Sequence, residues 1–135
     1  MTRSILAVVA GFAAMSLLVV IATAVAIRLN PGGRGPVHAP TPTYLVVNLC
    51  YSALAAVLGG FLAALLAGRA PLVHAGVLAA VVVAMSLVSM KRYAGQQPMW
   101  YQITLLVLMP TFVLCGGLLL AAVATSSGVR GAPPA

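Results

Sequence analysis

The chain has no aspartate and no glutamate among its 135 residues, although it has seven Lys or Arg residues. Paired-carboxylate hydrolysis, carboxylate-bound metal ions and proton coupling through a membrane-embedded acid all require side chains that this chain lacks. No nucleophile with an adjacent base can be assembled from the remaining residues either. We therefore expect that the protein is not an enzyme.

Cysteine and histidine are also scarce, with Cys50, Cys115, His38 and His74 the only examples. If the second and fourth apolar runs are parallel helices, the two thiols differ in depth by about 13 Å, too far for a disulfide. There is no Cys-x-x-Cys motif, so we expect buried, inert thiols. A haem shared by His74 of two subunits is an alternative, but we expect no cofactor and no metal site.

Apolar residues dominate the composition: 63% are hydrophobic, 5% are charged and the mean hydropathy is +1.16. A spanning helix needs about 20 apolar residues, and four runs meet this length, at about 4–27, 43–67, 72–90 and 99–124. We predict an all-α four-transmembrane-helix bundle in one domain, 1–125, with a flexible tail, 126–135. The first run exceeds the apolar core of a signal peptide, about 7 to 15 residues, so we expect it to be retained.

The connections contain helix-ending residues and suggest an internal repeat. Gly68 can cap the second helix and Pro71 can open the third, which predicts a tight hairpin. Pro42 and Pro98 each precede aromatic residues and are followed by a Gly-Gly pair 17 or 18 residues later. This pattern favours two tandem helical hairpins with parallel second and fourth helices, although two similar apolar sequences can also match by chance.

The basic residues bear on the orientation of the chain in the membrane and on its expected partners. They divide almost equally between the two sides of the predicted bundle: Arg3, Arg69 and Arg130 lie on one side, and Arg28, Arg34, Lys91 and Arg92 on the other. Because the long Pro-rich loop and the aromatic span ends are typical of an outer face, we expect both termini in the cytoplasm of a bacterium, with an antiparallel dimer of dual topology as the alternative. Basic residues near span ends commonly anchor helices to anionic headgroups, so we expect a lipid partner and no nucleic acid.

Small residues recur every four positions along the second helix, at Ser52, Ala56, Gly60, Ala64 and Gly68. We call this row of small residues the ladder. Gly59 lies next to it in the second helix, and the fourth helix has a similar pair of small residues at Gly116 and Gly117. Helices in lipid associate through close backbone approach, which small residues permit. We therefore predict that the ladder faces another helix, either the fourth or that of a second copy.

A polar stripe lies on one face of the same helix, at Tyr44, Asn48, Tyr51 and Ser52. Asn48 is costly to expose to lipid, so we expect it to bond to the fourth helix, at Gln102 or Thr104. Two interpretations stay open: the stripe joins helices, or it lines a path for an ion or small solute together with Gln102. In the fourth helix, Pro110 predicts a kink.

Two segments carry a resemblance to a known group. The runs "YLVVNLCYSALAAVLGGFLAALLAGRAPLVHAGVL" and "QPMWYQITLLVLMPTFVLCGGLL" resemble a group of small bacterial four-span integral membrane proteins of uncharacterised function. The resemblance implies a fold and a bacterial inner-membrane location, and no activity. A weaker likeness, to small fluoride channels, rests on Val47 and Asn48, but the chain has no Gly-Gly-x-Thr-Thr-Phe-Ser run, and its only phenylalanines are Phe12, Phe61 and Phe112.

The sequence thus favours a small membrane protein with a structural or accessory role. Every distinctive residue can be explained by helix packing, so we expect a homo-oligomer or a subunit of a larger membrane complex. The alternative is a small channel or carrier for an ion or small solute, lined by the Asn48 face.

Overall fold

The four apolar runs form four helices, because in hydrocarbon each backbone polar group must be satisfied within the protein. The structure, a computed structural model, describes residues 2–29, 41–68 and 70–129. Its helices are α1 (Thr2–Leu29), α2 (Pro42–Ala67), α3 (Pro71–Arg92) and α4 (Met99–Val129), and these three ranges contain no strand. The predicted all-α four-helix fold is confirmed, and each helix is long and apolar enough to cross a membrane.

The helices extend past several of the predicted boundaries. Helix α4 continues to Val129, so residues 126–129, which were predicted to belong to the flexible tail, are helical. The Ser126 hydroxyl donates to the Val123 carbonyl at 2.8 Å, which satisfies a backbone acceptor near the helix end. The rest of the tail, 130–135, and residues 30–40 of the long loop lie outside the described residues.

The hairpin between α2 and α3 has the predicted glycine cap and the predicted proline at the start of the next helix. Gly68 follows the last residue of α2 with φ 69° and ψ −11°, a left-handed conformation that glycine adopts without strain. Pro71 is the first residue of α3, where its missing N–H costs nothing. The predicted cap and helix start are confirmed. Ala70 also has a positive φ, 45°, which is unusual for a residue with a side chain.

Helices α2 and α4 run in the same direction. Asn48 contacts Tyr101 near one end of the pair, and Gly60 contacts Val113 further along both helices. Because both residue numbers rise together, the two helices are parallel. This is the relation that two tandem hairpins would produce.

Helix α2 is the centre of the bundle and contacts the other three helices. Helix α1 packs mainly on α2, makes few contacts with α3 and hardly touches α4. The core between the helices includes Ala56, Ala63, Leu78 and Val113, all fully buried. Since α1 and α3 pack sparsely against each other, the bundle is open on the side between them.

The adjacent glycines of α2 face two different helices. A Cβ atom at Gly60 would collide with the backbone carbonyl of Val113 in α4. A Cβ atom at Gly59 would lie 2.9 Å from the Met15 Cβ and 3.0 Å from the Gly11 carbonyl oxygen, both in α1. The pair therefore lets α2 approach α1 and α4 at the same level, since consecutive residues project about 100° apart around a helix.

The glycines of α4 also occupy two contacts. A Cβ atom at Gly116 would collide with the Val57 carbonyl oxygen of α2, and one at Gly117 would lie 2.5 Å from the Ala75 Cβ of α3. Along the α2 ladder, Ser52, Ala56, Gly60 and Ala64 are buried. Gly68 is the exception, because it is exposed and lies beyond the last helical residue, where it caps α2 instead of packing against a helix.

Candidate functional site

Asn48 is the centre of a hydrogen-bonded network that joins three helices. Its Nδ2 donates to the Tyr51 hydroxyl, and its Oδ1 accepts from the Tyr101 hydroxyl of α4 at 2.6 Å and from the Ser52 hydroxyl at 3.4 Å. The Tyr51 hydroxyl also bonds to Thr23 of α1 at 2.8 Å. A polar group in hydrocarbon is costly unless it is paired, and this network pairs the Asn48 amide within the bundle.

The partner of Asn48 in α4 is Tyr101, and the predicted partners Gln102 and Thr104 are wrong. The Gln102 side chain donates to the backbone carbonyls of Tyr93 and Gln97, at 3.3 and 3.4 Å. The Thr104 hydroxyl donates to a carbonyl of its own helix. Tyr101 is one position earlier, about 100° around the helix, and this rotation brings it to α2. Its position beside Trp100 indicates an interfacial aromatic residue, which is why sequence reasoning missed it.

A cavity of about 650 Å³ lies beside this network, with walls from all four helices. Asn48 and Ser52 line it, together with Tyr101. The other predicted lining residues do not. Tyr44 and Tyr51 line a separate groove between α1 and α2, and Gln102 lines a small neighbouring pocket. The structure therefore brings only part of the predicted polar stripe to the cavity.

The cavity lies mainly in one half of the bundle. Its lining in α3 runs from Val82 to Ser89, about 10 Å at 1.5 Å per residue. The lining in α2, α3 and α4 belongs to the half in which α3 ends and α2 and α4 begin, and the lining in α1 runs from Phe12 to Val20, across the middle of that helix. Beyond the cavity, toward the chain termini, Leu78 and Val113 are completely buried in the apolar core. The cavity therefore lies mainly toward the end of the bundle that is opposite the chain termini.

Three serines line the cavity, and their hydroxyl groups have no hydrogen-bond partner among the described residues. They are Ser16, Ser86 and Ser89. By contrast, the hydroxyls of Thr104 and Thr111 donate to the carbonyl four residues earlier in α4, as is usual for hydroxyls in membrane helices. The hydroxyl groups of these three serines are therefore available to donate hydrogen bonds to a bound molecule.

The cysteines and His74 are dispersed in the structure. Both cysteines are free thiols, but Cys50 is exposed and Cys115 is half-buried, so the prediction of buried thiols is wrong. The His74 Nδ1 atom lies 3.1 Å from the Ala70 carbonyl oxygen in the first turn of α3. Over the three described ranges, no group of three or more possible metal ligands is close enough to bind an ion. Cys50, Cys115 and His74 are not among the residues that line the cavity.

Comparison of the chain with protein-family models, curated proteins and solved structures finds no match in any of the three. The resemblance to small bacterial four-span proteins therefore stays a prediction. The proposals that follow depend on the geometry of this chain.

Proposed function

We propose that this protein has an accessory role in the bacterial cytoplasmic membrane, where it packs against a second copy or a larger complex. The supporting observation is Gly76 in α3. Of the six helical glycines whose surroundings the structure describes, five would place a Cβ atom in contact with another helix, but Gly76 has no atom within 4 Å of that position. The space beside Gly76 is open to a helix from another chain.

Small residues extend the Gly76 surface along α3. Ala80 and Ala84 follow at intervals of four residues, and both are exposed. Glycine inside a helix costs about 1 kcal/mol relative to alanine, and no contact within the described chain offsets that cost at Gly76. Small residues spaced by four allow two helices in lipid to approach closely. We call Gly76, Ala80 and Ala84 the α3 stripe and propose it as the contact with the partner.

A photo-crosslinking amino acid at position 80, introduced in native membranes, tests the proposed contact. We expect an adduct whose mass identifies a second copy or another protein, and we expect Gly76→Leu to remove it while the bundle stays folded. The control position is Val107, which is 61% exposed on α4. Equal adducts from positions 80 and 107, or adducts that survive Gly76→Leu, would refute association through α3.

We further propose that both termini are cytoplasmic. The end of the bundle opposite the termini carries the aromatic residues Tyr44 and Trp100 and the long Pro-rich connection between α1 and α2, and we take this end as the outer face. Reporter fusions at the carboxyl terminus test this orientation. Activity only from a reporter that functions outside the cytoplasm would contradict it.

The cavity favours a second candidate function, that of a small carrier or channel. Asn48 and Ser52 place polar groups in its wall at membrane depth, where polar side chains often mark a solute path. Flux of small solutes into liposomes tests this function. A carrier requires that Asn48→Leu changes flux, whereas a purely structural network requires that the substitution lowers stability and leaves flux unchanged.

A further inference from the structure

The cavity opens sideways, at the level of the hydrocarbon. Val20 of α1 and Met85 of α3 both line it, and they are nevertheless 64% and 52% exposed on the outer surface of the bundle. They stand on the two helices that pack sparsely against each other. A molecule dissolved in the bilayer can therefore enter between α1 and α3 without passing through water.

The wall of the cavity becomes more polar toward the end of α3. Phe12, Val82 and Met109 line the end at the centre of the bundle, and the unpaired Ser86 and Ser89 lie toward the end of α3. An acyl chain fits the apolar end and a hydrogen-bond acceptor fits the serine hydroxyls. The gradient matches a molecule that has one apolar part and one polar part.

The charge at the polar end is positive. Lys91 and Arg92 form the basic last turn of α3, directly after Ser89, so both cations lie at this end of the cavity. Helices α2 and α4 begin at this end and add the partial positive charge of their first turns. The chain contains no Asp or Glu to oppose this charge. An anionic headgroup is therefore favoured over a cationic one.

We propose that the cavity binds a single-chain anionic amphiphile, such as a fatty acid, taken from the bilayer through the gap between α1 and α3. The acyl chain lies against Phe12 and Met109, and the headgroup accepts hydrogen bonds from Ser86 and Ser89 near Arg92. The volume of about 650 Å³ is within the range of about 300–1,000 Å³ that is common for small-molecule sites. Binding at this site goes beyond the accessory role and does not depend on it.

Photolabelling of the full chain in nanodiscs of zwitterionic lipid tests the site. The probe is a fatty acid that carries a diazirine at the end of its chain, and peptide mapping locates the labelled residues. We expect labels on cavity residues of α1 and α3, with few on lipid-facing residues such as Leu87. A uniform distribution over all exposed apolar residues would overturn the proposal.

Two kinds of variant separate the cavity from the surrounding lipid. Ser86→Phe fills the cavity and is expected to reduce labelling about tenfold, whereas the adjacent Leu87→Phe on the lipid face should leave it unchanged. The pair Ser86→Ala and Ser89→Ala adds no bulk, and we expect it to reduce labelling about tenfold through two lost hydrogen bonds. This pair also gives a result if Ser86→Phe fails to fold. Labelling that survives both changes would overturn the proposal.

The headgroup is tested with two further probes. A fatty alcohol with the same chain should label more weakly than the acid, and Arg92→Gln should abolish that difference. Acetate at millimolar concentration should not compete, because it lacks the chain. Full competition by acetate, or equal labelling by acid and alcohol in the parent protein, would overturn the proposal. Cross-linking at position 80 is measured separately, so a failure of binding is distinguishable from a failure of association.

Discussion

The substitution Gly60→Ala adds one methyl group at the closest approach of α2 and α4. The added Cβ would collide with the Val113 carbonyl oxygen and lie 2.8 Å from its carbon and 3.0 Å from its Cα. Carbon atoms pack at about 3.5–4.0 Å, so the helices must separate by several tenths of an ångström or more. The atoms are backbone, and no change of rotamer relieves the overlap.

We expect Gly60→Ala to lower the free energy of unfolding by about 1–3 kcal/mol, the usual cost of overpacking. Gly76→Ala is the matched control, because it makes the same chemical change where the single chain has open space; unfolding is measured on separated chains, so that the proposed contact of the α3 stripe with a partner does not contribute. There the helix propensity of alanine should raise stability by up to about 1 kcal/mol. The opposite signs of these two effects separate close packing from any general effect of glycine replacement.

Unfolding in mixed micelles with increasing denaturing detergent measures both variants, and Trp100, the only tryptophan, provides the fluorescence signal. The parent and both variants are compared in the same micelles. A Gly60→Ala variant as stable as the parent would refute the packing argument. So would a Gly76→Ala variant that loses as much stability as Gly60→Ala.

Three further substitutions test other contacts by the same assay. Tyr101→Phe removes the hydroxyl that donates to Asn48 and should cost about 1 kcal/mol, with little additional cost when Asn48→Leu is already present; additive costs would show that the two do not interact. Gly116→Ala should cost about 1–3 kcal/mol because its Cβ would meet the Val57 carbonyl; an unchanged stability would contradict the contact. Gly68→Ala should cost about 1–2 kcal/mol, since φ is 69° there; no loss would contradict the cap.

The sequence predicts the helices well because hydrocarbon allows few alternatives. The length and apolar composition of the runs are sufficient to predict four membrane-spanning helices. Gly68 and Pro71 are sufficient to predict the tight hairpin between the second and third helices. The α2 ladder indicates close packing, but composition does not say which helix each glycine meets. Gly59 and Gly60 contact different helices because they are adjacent in sequence, and Gly11 of α1 became visible as a contact residue only in the structure.

The site is less predictable than the fold. Asn48 was identified from its polarity, but a rotation of one residue in α4 decides between Tyr101 and Gln102, and apolar periodicity in a buried helix does not fix that rotation. The cavity results from how sparsely α1 and α3 pack, which depends on tertiary geometry. The availability of the Ser86 hydroxyl is equally invisible in sequence, because most hydroxyls in membrane helices bond to their own backbone.

The mass of the protein extracted directly from its native membrane, without exchange into detergent, tests the proposed accessory role most directly. One chain has a mass of 13.7 kDa. We predict a larger assembly, either an integral number of copies or a complex with another protein, and we predict that Gly76→Leu reverts it to the single chain. Single 13.7 kDa chains in the parent, with or without bound lipid, would contradict the proposal.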